Sequence, residues 1–179
     1  MPMVVASRYA RALADVVAAT GEYRRVLGDL EEFNAAYKES AELRAVCETP
    51  AAPLSQKVKV LEAIAARLGA APVTRNFLRV LLAHYRIRLL EEVIEAFRRI
   101  AYSRLGIAQV LISSAAELTA AEHELLRARF EELTHKQAEL KFQVEAELIG
   151  GLVAQIGSTV YDGSVRGQLE RIREQFRSR

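Results

Sequence analysis

Chemistry in this chain has few residues to draw on, and the most pointed group is VYDGSVRGQLERI at 160–172. Gly163 and Gly167 beside Ser164 and Arg166 are the residue types of an anion cradle, in which backbone N–H groups meet a phosphate. The spacing argues otherwise. A Walker loop needs G-x-x-x-x-G-K-[ST], so that a lysine reaches the phosphates, and no lysine follows Lys141. The dinucleotide fingerprint needs G-x-G-x-x-G, which Gly157, Gly163 and Gly167 do not form. The stretch reads better as a turn at Asp162-Gly163, the glycine taking positive φ, with Ser164 as N-cap of a closing helix that runs into Val165. Arg166, Arg171, Arg173, Arg177 and Arg179 spread around that helix. They suit solubility or an acidic partner surface more than a phosphate pocket.

The other titratable groups are no better arranged. His84, His123 and His135 are the only histidines, and none belongs to HExxH or sits beside a cysteine. His84 is expected among core residues or at a bundle surface, and His123 and His135 on a solvated, charged helix. Glu31–Glu32, Glu91–Glu92 and Glu131–Glu132 are adjacent in sequence. Helix neighbours one apart do not face each other, so these pairs read as solvated faces rather than acid–base pairs. Cys47 is the single cysteine, which excludes an internal disulfide or a cysteine-based zinc site and fits a reducing compartment. No catalytic, cofactor or metal site is expected.

The elements behind these residues fall into two groups. With 51% hydrophobic and 27% charged residues over 179 positions, the chain can bury one large core or two small ones. Its net charge of +2 is too balanced to argue for nucleic acid. Residues 1–105 carry net +4 and residues 106–179 net −2, which fits two domains meeting different partners as well as ordinary scatter. The N-terminus shows no signal-peptide pattern, and no run of about 18 apolar residues could span a bilayer.

Residues 1–105 read as a six-helix bundle joined by short loops. Val5, Tyr9, Leu13 and Val16 form an apolar stripe on the first helix, with Ala6, Ala10 and Ala14 on its other flank. Gly21, Pro50, Pro53 and Gly69 punctuate the next three helices, and Pro72 stands in the first turn of the fifth. After Gly106 the periodicity changes to a small α/β domain, 106–179. IAQVLISSA is strand-like. Thr119 with Glu122 signs a capping box, and AELKFQVEAEL alternates as a half-buried strand. LVAQIGSTVYDG is a further strand region in which Gly157 suggests a bulge or close backbone approach.

The fifth helix carries surplus apolar surface. Val73, Phe77, Val80, Leu81 and His84 share a face that Leu78, Leu82 and Tyr85 widen beyond an ordinary surface stripe. Such a helix is either the central member of the bundle or one wall of a groove for an amphipathic helix from another chain.

Several stretches together resemble the delta subunit family of rotary ATP synthases, known in mitochondria as the oligomycin-sensitivity-conferring protein. They are SRYARAL at 7–13, NFLRVLLAHYRIRLLEEVIEAF at 76–97, ISSAAELT at 112–119 and, most specifically, GGLVAQIGSTVYDGSVRGQLERI at 150–172. The resemblance implies a non-catalytic peripheral-stalk subunit, one copy in a hetero-oligomer. Its helical domain would bind the N-terminal segment of an alpha subunit in a groove between helices one and five. Its second domain would grip the C-terminal end of the b-subunit stalk. Carried onto matching positions, Tyr9, Ala12, Leu13 and Val16 would line one wall, and Phe77, Val80 and Leu81 the other. Asp162, Gly163, Ser164 and Val165 mark the family's signature turn. The implied place is the cytoplasmic face of a bacterial inner membrane, with the membrane met only through the complex. The alternative is an RNA-binding helical bundle of the antitermination type, since small all-helical domains of this size serve that role; Arg75, Arg79, Arg86 and Arg88 cluster, but the second domain is acidic. RNA binding would need a basic stripe with stacking aromatics, and aromatics are only 7% of the chain.

Overall fold

A computed structural model describes residues 2–49 and 52–169. It is mostly helical, with a small four-stranded sheet. Six α-helices come first: α1 (Pro2–Val17), α2 (Tyr23–Glu39), α3 (Ala41–Glu48), α4 (Leu54–Arg67), α5 (Pro72–Ala83) and α6 (Leu90–Leu105), with a 3-10 turn at Ile87–Leu89 before the last. Then follow β1 (Ile107–Ser114), α7 (Ala120–Thr134), β2 (Gln137–Val144), β3 (Leu152–Ile156) and β4 (Thr159–Asp162). The chain divides into two compact units, Met1–Ala101 and Tyr102–Arg179, the division falling in the last part of α6.

In the first unit, helix ends follow local chemistry. Ser40 caps α3, its hydroxyl accepting the Leu43 N–H at 3.1 Å. Gly69, at φ +72°, closes α4 by a Schellman turn in which Ala70 N–H reaches the Ala65 carbonyl. Pro72 opens α5, and Asp29 of α2 accepts from the Ala71 N–H at 2.7 Å and the Thr74 hydroxyl at 2.8 Å. That carboxylate satisfies one of the backbone N–H groups the helix start leaves without a partner and ties the Thr74 hydroxyl to the same point. Leu30, Phe33, Leu61, Leu78, Leu81, Leu90, Val93 and Phe97 are fully buried. Two buried cations accompany them. The Arg98 guanidinium is opposed by burial, but its hydrogen bonds to Glu31, at 2.6 Å, and Glu95 outweigh that and raise its pKa. Lys57, only 1% exposed, donates to the Cys47 carbonyl at 3.3 Å and lies 5.3 Å from the Tyr85 ring centroid. Lys57 stands four and eight residues before Leu61 and Ala65 on the buried face of α4, so its position fits the helical period and only its residue type is unexpected there.

Helix α1 reverses its expected faces. Ala6, Ala10, Leu13, Ala14 and Val17 are all buried, and the Tyr23 hydroxyl of α2 donates to the Ala14 carbonyl at 3.2 Å. Alanine faces let a neighbouring backbone approach closely. Of the apolar stripe read from the sequence, only Leu13 points into the core; Val5 and Tyr9 are half-buried and Val16 is exposed.

In the second unit the sheet order is β2-β1-β3-β4. Strands β1 and β2 are parallel, joined by the α7 crossover, while β1–β3 and β3–β4 are antiparallel. Val110, Ile112, Ala138 and Ala154 pack with Phe130 of α7. The capping box forms as expected: Thr119 Oγ accepts the Glu122 N–H at 3.3 Å, and Glu122 Oε2 accepts the Thr119 N–H at 2.7 Å. Three expectations are corrected. The alternating strand stops at Val144, and residues 146–148 turn into 3-10 geometry. Gly157 is no bulge: at φ +59° it opens a two-residue loop that pairs Ile156 with Thr159, a glycine-first hairpin. His123 is not freely solvated but stacks on Phe142, centroids 3.7 Å apart.

Because α6 lies complete within residues 1–105, that fragment is expected to fold alone, with a helical circular-dichroism spectrum and a cooperative melt. A fragment lacking both would place its stabilising contacts beyond residue 105. The Glu122 carboxylate has a pKa held below the usual glutamate value, first by the Thr119 N–H and then by its hydroxyl. A depressed carboxylate stabilises the folded state above its unfolded pKa and loses that contribution as pH falls through the folded one. Glu122→Gln should therefore lower the urea midpoint at pH 7, and its difference from the parent should shrink towards pH 3.

Candidate functional site

The residues expected to carry function lie in both units. In the first, α1 presents Val5, Arg8, Tyr9 and Ala12 at spacings of three and four, so they share one outward stripe. They line a pocket of about 310 Å³ together with Arg86. The Tyr9 ring meets Phe77 of α5 edge-on, centroids 6.5 Å apart at 68°, an attractive geometry between ring quadrupoles. Of the wall residues implied by the family resemblance, Tyr9 and Ala12 are thus in the pocket and Phe77 touches its aromatic floor. Val16 and Val80 are 60% and 45% exposed, each an apolar side chain facing outward. Leu13 and Leu81, at 3% and 0%, lie beneath this surface as core. They can support a docked helix but do not present themselves to one.

Arg8 and Arg86 were absent from the sequence reading of the site, although the Val5–Arg8–Tyr9–Ala12 spacing is legible in the sequence. Arg86 could not be placed without the turn after α5. That turn is a second Schellman motif: Arg86 N–H reaches the Leu81 carbonyl at 2.8 Å and Tyr85 N–H the Leu82 carbonyl at 3.0 Å. Its left-handed position is filled by Tyr85, at φ +56°, where a non-glycine residue costs roughly 1–2 kcal/mol. The guanidinium of Arg86 stands 5.8 Å from the Tyr9 ring centroid. His84, at the end of α5, is exposed.

In the second unit the signature turn is a close backbone crossing. Ser164 caps the last helical segment, its Oγ accepting the Gly167 N–H at 3.0 Å, as expected. Asp162 Oδ1 accepts both the Ser164 N–H at 2.9 Å and its hydroxyl at 2.7 Å. Gly163 does not take the positive φ expected of it; the left-handed residue is Gly151, at φ +77°. Gly163 N–H bonds the Leu152 carbonyl and Val165 N–H the Gly150 carbonyl, both at 3.0 Å. A Cβ on Gly151 would collide with the Gly163 carbonyl oxygen, and one on Gly167 with the Asp162 carboxylate. The glycines serve contact between chain segments, and the donors of this turn are used internally. Gly163 and Ser164 are thereby locked, Ser164 being buried, while Val165 is 40% exposed.

The adjacent carboxylates diverge, as helix geometry requires. Glu31 pairs with Arg98, Glu91 with Lys38 at 2.5 Å, and Glu132 with Arg129, while Glu131 accepts the Ala138 N–H. Among the described residues no group of three or more histidine, cysteine or acidic side chains could hold a metal ion.

The description of the ATP synthase delta (OSCP) subunit matches residues 5–176. The chain belongs to that family. It is 44% identical to the ATP synthase subunit delta of Acidobacterium capsulatum over 96% of both chains, and 34% identical to that of Myxococcus xanthus over 98% of this chain and 97% of that one. The fold aligns with a chain of the Toxoplasma gondii mitochondrial ATP synthase hexamer at TM-score 0.76 and 27% identity, covering 96% of each. The delta family is a non-catalytic stalk subunit, and assembly with other ATP synthase subunits follows from membership.

Gly151→Ala is expected to destabilise the second unit by more than a helix-surface glycine replacement would, because it combines positive φ with a backbone collision. Thermal melts of Gly151→Ala and of Gly28→Ala, where a Cβ meets nothing within 4 Å, make the comparison. Equal stability of the two variants would contradict the crossing.

Proposed function

We infer that this chain is a stator: a peripheral-stalk subunit of the F-type ATP synthase that links the catalytic alpha/beta hexamer to the b-subunit stalk and resists rotation while the rotor turns. Residues 1–105 act as a six-helix bundle that seats the amphipathic N-terminal segment of an alpha subunit against α1 and α5. Residues 106–179 grip the C-terminal helices of the b subunit. The complex holds the chain at the cytoplasmic face of a bacterial inner membrane, and among the described residues no helix is long and apolar enough to cross that membrane itself.

The observation that carries the alpha assignment is the inversion of α1. Its alanine face is buried, while Ala12 and Val16 are exposed, Val5 and Tyr9 stay half-exposed beside them, and Val80 is exposed on α5. An apolar stripe left outside after a helix has already buried a face is a docking surface in waiting. Each large apolar side chain covered there contributes about 1.5–3 kcal/mol, enough for a slow-dissociating contact when several act together. RNA binding has less support. Arg79 pairs with Glu62 at 3.6 Å and Arg88 with Glu48 at 2.8 Å, so half of the arginine cluster is already neutralised.

Val80→Asp should weaken binding of a cognate alpha N-terminal peptide by at least about a hundred-fold, since docking would bury an unpaired carboxylate. The variant should keep its helical spectrum and melting temperature because Val80 is exposed. Calorimetric titration of the full chain makes the measurement; undiminished affinity in the folded variant would remove α5 from the groove.

A further inference from the structure

We propose that the α1 groove selects its partner helix by charge as well as by apolar contact, holding a carboxylate of that helix between Arg8 and Arg86 beside the Tyr9 ring. This rests on the groove reading above and adds the chemistry of the occupant.

The pocket joins two cations to an apolar floor of Val5, Tyr9 and Ala12, and among the described residues no acidic side chain lines it. Among the described residues neither guanidinium is paired with a carboxylate, whereas Arg79, Arg88 and Arg98 all are. The pocket between α4 and α5 makes the contrast: it too contains two arginines, Arg75 and Arg79, but Glu62 lines it and balances Arg79. Arg86 is also positioned. The Schellman turn through strained Tyr85 sets its backbone, and its guanidinium lies against the Tyr9 ring. Arg8 precedes Tyr9 on the same helix stripe.

These features narrow the occupant. A wholly apolar helix would cover the floor but desolvate two unpaired cations, which is costly. A free inorganic anion would satisfy the cations and leave the floor wet. An amphipathic helix with an acidic residue three or four positions from an apolar anchor meets both requirements on one face. The partner is therefore an acidic–apolar helix, and the acidic residue fixes its register.

The test is titration calorimetry of the full chain with a synthetic peptide of the cognate alpha N-terminal segment, at low and high salt. A second peptide has every Asp and Glu replaced by Asn and Gln. Arg8→Gln with Arg86→Gln should weaken binding of the first peptide about ten-fold or more and flatten its salt dependence. The amide peptide should bind parent and double variant alike, and Arg86→Lys should keep more affinity than Arg86→Gln. Unchanged affinity and salt dependence in the double variant, with Val80→Asp still abolishing binding, would overturn the charge inference and leave the groove standing. An equal loss for both peptides would mean that the arginines only support Tyr9, and would also overturn it. A cognate segment without any carboxylate does the same. No binding to the parent chain, or none of the variants having an effect, would remove the groove and the inference together.

Discussion

A helix can turn only part of its circumference towards a given core, and much of the first unit depends on which part of α1 is used. The buried face is the one with the least side chain: Ala6, Ala10 and Ala14, with Leu13 and Val17 completing it. Methyl-sized contacts let a neighbour come close, and the hydroxyl of Tyr23 reaches across to the Ala14 carbonyl. Once that face is committed, Ala12 and Val16 are left exposed, and Val5 and Tyr9 are only half covered, Tyr9 by Phe77 of α5. The larger apolar side chains are thus displaced to the surface by packing of the small ones. Exposed apolar side chains of this kind, above all Val16, are what the proposed docking surface uses.

The second unit solves a different mechanical problem. Its last two strands are short, five and four residues, and tightness there comes partly from backbone meeting backbone. Gly150 and Gly151 cross Gly163 and Ser164 with bonds of 3.0 Å from Gly163 to Leu152 and from Val165 to Gly150. Gly167 packs onto the Asp162 carboxylate at the start of the last helical segment. Absent side chains at these points do what a larger core does elsewhere. A subunit that carries elastic load benefits from such a crossing, because slipping it requires breaking several bonds together.

Both units show polar groups turned inward on their own structure. Asp29 completes the start of α5, Glu122 the start of α7, and Ser164 the start of the last helical segment. Tyr37, held well above its usual pKa first by burial and then by its bond to Glu48, is likewise a structural hydroxyl. These groups are occupied in capping and pairing, and the chain's non-catalytic standing comes from its membership of the delta family. The exposed surface that remains to act is apolar and cationic, suited to recognition.

How much of this was legible in advance follows from the range of each interaction. Helix order, the cap at Thr119, the cap at Ser164 and the change of periodicity at Gly106 depend on residues within a few positions of one another, and the sequence by itself determined them. The family was legible as well, in stretches spread along the chain, and the match runs over residues 5–176. Which face of α1 is buried could not be read there. Periodicity finds an apolar stripe but does not say whether a neighbour prefers it to a row of alanines; that depends on how closely α2 and α5 can approach. For the same reason Leu13 and Leu81 became core while Val16 and Val80 stayed outside, though all four fit the same pattern. The hairpin turn at Gly157 is local, a glycine-first turn that a sequence reading of it as a bulge mistakes. Gly151 rather than Gly163 at positive φ, the bond of Lys57 to the Cys47 carbonyl and the meeting of Arg86 with Tyr9 are decided by segments apart in the chain. Only the tertiary structure brings those segments together, because their contacts are set by close packing rather than by local propensity.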